Sequence, residues 1–156
     1  MDNFIIDRAS IEHLPIVSEL NQKLILDEQQ YDDNTSLSWT YSSEGQAILS
    51  DRINKKLVFI AWQKYPELKP VGYISGSISE WQTLYRKRVA TLENIFVDKA
   101  YRGNDIGTKL IEAFEIAVKE QNAISMRINC LYTNPACEFY QKKGFTKHAI
   151  QFIKNF

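Results

Sequence analysis

The chain has 156 residues, 44% of them hydrophobic, with 19 Lys and Arg against 19 Asp and Glu; this suits one domain, residues 1–156, with a sizeable core and excludes disordered or collagen-like chains. A net charge of zero supplies no basic field for nucleic acid, so the expected partner is small. No apolar run approaches the roughly 18 residues of a membrane span, and the acidic start Met1-Asp2-Asn3 does not read as a signal peptide, which leads us to expect a cytoplasmic protein with no membrane partner.

Residues 4–9 alternate as a first strand, and Ser10 stands where it can cap a helix. Ile11, Leu14, Val17, Leu20, Leu24 and Ile25 then recur at helical spacing to about Glu28, with Pro15 tolerated in the first turn. From Asp27 to Tyr41 the chain turns acidic and aromatic, with Asp27, Glu28, Tyr31, Asp32, Asp33 and Trp39. Two readings are open there: a solvated loop with aromatics tucked onto the core, or a lip whose carboxylates and ring faces attract an ammonium group. Ser42 or Ser43 caps a second helix through Asn54. Residues 57–62 and 71–78 read as a hairpin around Pro66 and Pro70, and Gly72 and Gly76 mark a bulge or a close backbone approach. A polar connection, residues 80–88, ends in Arg86-Lys87-Arg88, which reads as a solvated cluster or as a contact for phosphates or an acidic partner.

Residues 92–97 read as a mostly buried strand whose alternation puts Glu93, Ile95 and Val97 on one face. After Asp98 comes a loop containing Arg102, Gly103 and Gly107, and then Ile106, Leu110, Ile111, Phe114, Ala117 and Val118 at helical spacing. A loop running into a helix N-terminus offers unpaired N–H donors and the positive end of the dipole, which together suit a phosphate. The loop has no Gly-Lys-Ser/Thr and no G-x-G-x-x-G, so neither a nucleoside triphosphate nor a dinucleotide is indicated. Residues 124–131 form another strand, and Asn134 or Thr133 caps a short helix with Pro135 at its start and Gly144 closing it. Residues 145–156 read as one further strand and a second, abbreviated one. Cys130 and Cys137 are seven apart with no histidine nearby, so no metal site is expected. Reduced thiols are the first reading and a disulfide the alternative.

The segment Arg102-Gly103-Asn104-Asp105-Ile106-Gly107 resembles the R/Q-x-x-G-x-G/A loop of the GCN5-related N-acetyltransferases. The likeness extends through Leu92-Glu93-Asn94-Ile95-Phe96-Val97-Asp98 upstream and through residues 134–145 downstream. It implies an α/β (α+β mixed) fold, a mostly antiparallel central sheet flanked by about four helices, and acetyl-CoA as cofactor. By the same resemblance Arg102, Gly103, Asn104, Asp105, Ile106, Gly107 and Thr108 would hold the pyrophosphate, and Ile95, Phe96, Val97 and Asn134 the pantetheine. Glu93 would act as general base, as in the spermidine/spermine-like branch closest in motif, and Tyr140 as general acid. Asp27, Glu28, Tyr31 and Trp39 would meet a small-molecule amine acceptor. A protein N-terminus or lysine as acceptor, or a non-catalytic coenzyme A-binding module, are the alternatives, and a homodimer is allowed without being required. Asp105 stands where the family's first loop glycine sits; its tolerance of left-handed angles keeps the turn, and its carboxylate is expected toward solvent.

Overall fold

The computed structural model describes residues 3–83, 85 and 87–156; Met1, Asp2, Leu84 and Arg86, the last a member of the basic cluster, lie outside the described residues. The chain runs β1 (Phe4–Arg8), α1 (Leu14–Glu28), α2 (Ser43–Asn54), β2 (Val58–Gln63), β3 (Lys69–Glu80), β4 (Arg88–Val97), α3 (Ile106–Glu120), β5 (Ser125–Ile128) and α4 (Ala136–Lys142). Single 3-10 turns at Ile11–His13, Trp39–Tyr41 and Lys99–Tyr101 join some of them. The strands form one mixed sheet in sequence order, antiparallel throughout except for the parallel β4–β5 pair.

Alternation along the strands sorts side chains onto two layers. Phe59, Ala61, Ile74, Ala90 and Leu92 face α3, which buries Ile106, Leu110, Phe114, Ala117 and Val118 against them. Val58, Ile60, Tyr73 and Phe96 face the other way, onto Val17, Leu20 and Leu24 of α1 and Leu49 and Ile53 of α2. Ser42 caps α2, its Oγ accepting from Gly45 N at 3.0 Å. Between the first two helices and the sheet, Tyr73 hydroxyl accepts from Asn21 at 2.7 Å and Asn21 accepts from Thr40 at 2.7 Å, which satisfies these buried polar groups.

The glycine signals in β3 correspond to real irregularities. Ser75 pairs with Asn94 and Gly76 with Leu92, so Glu93 is an extra residue bulged out of β4. The bulge corrects the face assignment made from alternation alone. Ile95 and Val97 pack on the α3 layer with Leu92, whereas Glu93 turns to the opposite side. There it accepts from Ser77 Oγ at 2.8 Å and lies 4.0 Å from Arg52 of α2.

Two further expectations are corrected. Residues 145–156 form no strand: a strand needs a partner edge and a face to bury, and Ile150, Phe152, Ile153 and Phe156 instead lie exposed. The cysteines are not separate thiols. The turn between β5 and α4 brings the Cα atoms of Cys130 and Cys137 to 6.0 Å, within disulfide range, and they are bonded. The strand expected at 124–131 is shorter, and β4 begins earlier, at Arg88, whose side chain is tied to Gln121 O at 2.6 Å and Glu80 at 3.2 Å, far from the loop at 102–107.

Candidate active site

Two cavities meet where β4 and β5 part. Their pairing runs from Val89↔Ser125 to Leu92↔Ile128 and stops, so the strands diverge just where the bulge begins. The larger cavity, about 660 Å³, lies between the C-terminal end of α1, residues 95–97 of β4, the loop and first turn of α3, and α4. The smaller, about 210 Å³, is lined by Glu28, Asp32, Thr35, Glu93 and residues 129–131. Glu28, Asn134 and Tyr140 line both.

The larger cavity is built by the loop the sequence singles out. Gly103 has φ +84° and Asp105 φ +60°, so the chain turns twice through left-handed geometry before α3 begins. Asp105 is exposed at the rim as the helix N-cap, without a side-chain capping bond. The first-turn N–H groups of Ile106, Gly107 and Thr108, which an α-helix leaves without intrahelical acceptors, lie at this cavity. Gly107 also lets α4 approach, because a Cβ there would stand 3.2 Å from the Phe139 ring.

Arg102 is held in place rather than loose. Its Nε donates to Val97 O at 2.9 Å and its Nη2 to Asp27 at 2.8 Å, while Lys99 meets the other Asp27 oxygen at 2.9 Å. Burial alone would push the Asp27 carboxyl up, but the two cations outweigh it and hold it below the ordinary carboxylate value. A carboxyl lowered on folding stabilises the fold fully above its unfolded pKa, and the contribution is lost as pH falls through the folded value. Asp27→Asn should therefore lower the urea midpoint at pH 7 by the equivalent of about 1 kcal/mol, with the difference from wild type shrinking as pH falls below the ordinary carboxylate value of 3.8; a difference that does not shrink on acidification would contradict the ion-pair account.

At the smaller cavity Glu28 is exposed to solvent on one side, but partial desolvation first, then the negative charges of Asp27 and Asp32, push its carboxyl above the ordinary range. Burial, and then the Glu28 charge, push the Tyr140 phenol upward as well, so it keeps its proton throughout the neutral range. Just ahead of α4, whose N-cap is Pro135, Asn134 Oδ1 accepts from Ala136 N at 2.9 Å.

Of the residues singled out in the sequence, Ile95, Phe96, Val97, Arg102, Gly103, Asp105, Ile106, Gly107, Thr108, Asn134, Tyr140, Glu28, Tyr31 and Asp27 line the larger cavity, and Glu93 the smaller. Asn104 turns away to donate to Tyr101 O at 3.0 Å. Trp39 reaches neither cavity; its turn packs on α2, where the Trp39 carbonyl accepts from Ser42. Arg52 and Ser77, which hold Glu93, carried no signal in the sequence, since only the folded sheet brings them to the bulge.

A sequence model of the acetyltransferase (GNAT) domain matches residues 54–147. An uncharacterized N-acetyltransferase of Methanocaldococcus jannaschii is 34% identical over 83 residues, 53% of this chain, and the matched stretch spans only 37% of that relative's length. The fold is similar to that of a putative acetyl transfer enzyme from Pyrococcus furiosus, with TM-score 0.74 and 21% identity over 98% of this chain and 99% of that one. It is similar also to an aminoglycoside acetyltransferase from an uncultured soil metagenomic sample, with TM-score 0.73 and 21% identity over 99% and 97% of the two chains.

Proposed function

This chain belongs to the acetyltransferase (GNAT) domain family, and from that premise we propose that it moves an acetyl group from acetyl-CoA to a primary amine of a small, cationic acceptor. The observation that carries the proposal is the meeting of the two cavities. One is a cleft lined by the anion-suited loop; the other is a small acidic chamber, and they share Glu28, Asn134 and Tyr140.

Acetyl-CoA supplies the acetyl group as an activated thioester. The residues of the larger cavity fit it: the first turn of α3 and Arg102 suit a pyrophosphate, and the edge of β4 beyond Leu92 offers backbone groups to an extended amide chain. Asp105 adds one negative charge at the rim, which opposes anion binding there, while Asp27 spends part of its own charge on Lys99 and Arg102.

In the smaller cavity Glu28, Asp32 and Glu93 attract an ammonium group, with Arg52 the cation nearest to Glu93. An alkylammonium with a pKa of about 10.4 is almost wholly unreactive at neutral pH, so a carboxylate must take its proton. Glu93, fixed by Ser77, is assigned that role, and Glu28 and Asp32 hold the rest of the cation. Tyr140, which retains its proton, offers a hydrogen bond to the departing sulfur. A second reading makes Glu28 the base, favoured by its raised pKa and by its place on both cavities. Three acidic groups around so small a chamber favour a polyamine or aminoglycoside-like acceptor over a polypeptide.

Titration calorimetry with acetyl-CoA, free coenzyme A and ATP, followed by a thiol-release screen against spermidine, an aminoglycoside and a lysine peptide, tests the proposal. Binding of acetyl-CoA but not ATP, with turnover of the small polycations, is expected. Faster turnover of the peptide would overturn the acceptor class, and binding without turnover would mark a non-catalytic module. Tyr140→Phe should lower kcat by about 10²-fold with little change in KM for acetyl-CoA; steady-state kinetics that show an unchanged kcat would remove Tyr140 from the reaction.

A further inference from the structure

The acetyl-transfer scheme leaves Cys130 and Cys137 without a part, yet they stand in the wall of the site. Cys130 follows β5 and lines the acidic chamber beside Asn134 and Tyr140. Cys137 lies in α4, the helix that carries Tyr140. Their bond closes a loop over residues 130–137, and Asn134, shared by both cavities, sits inside that loop. Both cysteines are half-buried rather than sealed in the core. Free coenzyme A, the thiol product of the proposed reaction, is therefore released at a junction one wall of which is a disulfide. Exchange requires only that a thiolate reach one sulfur of such a bond.

We propose that Cys130 is a site of reversible covalent modification by the thiol of coenzyme A. The inference rests on the acetyl-CoA reading of the larger cavity. The coenzyme thiolate attacks Cys130 Sγ, the Cys130–Cys137 bond breaks as the new sulfur–sulfur bond forms, and Cys137 leaves as a thiolate that takes a proton from water. One disulfide replaces another, so no external oxidant is consumed. Cys130 is the sulfur attacked because it, and not Cys137, faces the chamber. The adduct would place the pantetheine arm across the acceptor chamber, and return attack by Cys137 would clear it, which makes the modification a brake set by accumulated product.

The test uses the full chain with Cys137→Ser, which leaves Cys130 as a lone thiol, treated with coenzyme A disulfide or with cystamine at equal concentration and followed by intact mass. Coenzyme A disulfide is expected to modify Cys130 at least about ten-fold faster, because binding raises the local concentration, and saturating acetyl-CoA should suppress that advantage. In the mirror variant Cys130→Ser the two reagents should react with Cys137 at similar rates. In unmodified protein, free coenzyme A should expose Cys137 to alkylation sooner than cysteamine does, a readout that needs no variant to fold. Equal rates for the two reagents, or no protection by acetyl-CoA, would overturn the proposal. Calorimetry with acetyl-CoA on the same samples separates the causes: binding without preferential modification defeats this inference alone, whereas no binding defeats the functional reading beneath it as well.

Discussion

Replacing Glu93 with Gln is expected to lower kcat by about 10²–10⁴-fold at neutral pH, with the deficit shrinking as pH approaches about 10.4, where the amine loses its proton unaided. Bulging from β4 takes Glu93 out of the ladder and turns it toward the acidic chamber, and Ser77 Oγ at 2.8 Å fixes one of its oxygens. Gln keeps the size and the hydrogen bond and removes only the capacity to accept a proton. Glu28→Gln should behave differently, raising KM for a cationic acceptor more than it lowers kcat. It should also raise the melting temperature at pH 7. A carboxyl pushed above its ordinary value of 4.5 penalises the folded state once pH exceeds that value, so a neutral Gln relieves the penalty at pH 7 and gains nothing near pH 4. Steady-state profiles of both variants across pH 6–10 decide the assignment, taken with melting curves. If Glu28→Gln carries the large kcat loss and Glu93→Gln turns over normally, Glu28 is the base and Glu93 an acceptor contact.

The second large effect is structural. Gly76→Val is expected to destabilise the fold by about 3 kcal/mol or more, measured by urea denaturation, and to abolish turnover at temperatures where Gly107→Ala retains much of it. A Cβ at Gly76 would overlap the Thr91 carbonyl oxygen and the Phe114 ring, with Cε2 of that ring at 2.8 Å. One obstacle is the backbone of the neighbouring strand and the other a fully buried core ring, so neither can yield without moving β4 against β3 or opening the α3 layer. At Gly107 the only near obstacle is the Phe139 side chain at 3.2 Å, which can give by a few tenths of an ångström. A urea midpoint for Gly76→Val close to wild type would show that the sheet at the bulge is far more pliant than its packing indicates.

Local chemistry in the chain was enough to locate α1, α2, the β2–β3 hairpin, α3 and α4, because each is bounded by its own capping or turn residues and carries a periodic apolar face. The loop at 102–107 was legible for the same reason, and the left-handed tolerance argued for Asp105 matches its φ of +60°. What escaped depended on partners distant in sequence. Gly72 and Gly76 announced irregular pairing in β3, but that the extra residue at the second irregularity belongs to β4, and that it is Glu93, follows only from the register between the strands. The Asp27–Arg102 pair spans 75 residues, so Asp27 read as an acceptor contact when its carboxylate in fact braces the loop at the larger cavity. The Cys130–Cys137 bond depends on the turn after β5, which residue types alone do not specify. In residues 145–156 alternation mimicked strands, because a pattern of apolar side chains carries no information about whether a neighbouring edge is there to receive it.

The parting of β4 and β5 after Leu92 and Ile128 has a consequence for the life of the protein in the cell. A parallel pair that opens midway leaves a length of strand edge inside the molecule, and strand edges bind other strands. Walls of α1, α4 and the α3 loop shield this one on either side, so a narrow flexible chain can lie along it while a second protein's sheet cannot. The cleft thus works as a filter on shape: the same walls that admit an extended amide-bearing molecule to the backbone groups of β4 keep another protein's strand from pairing at this internal edge.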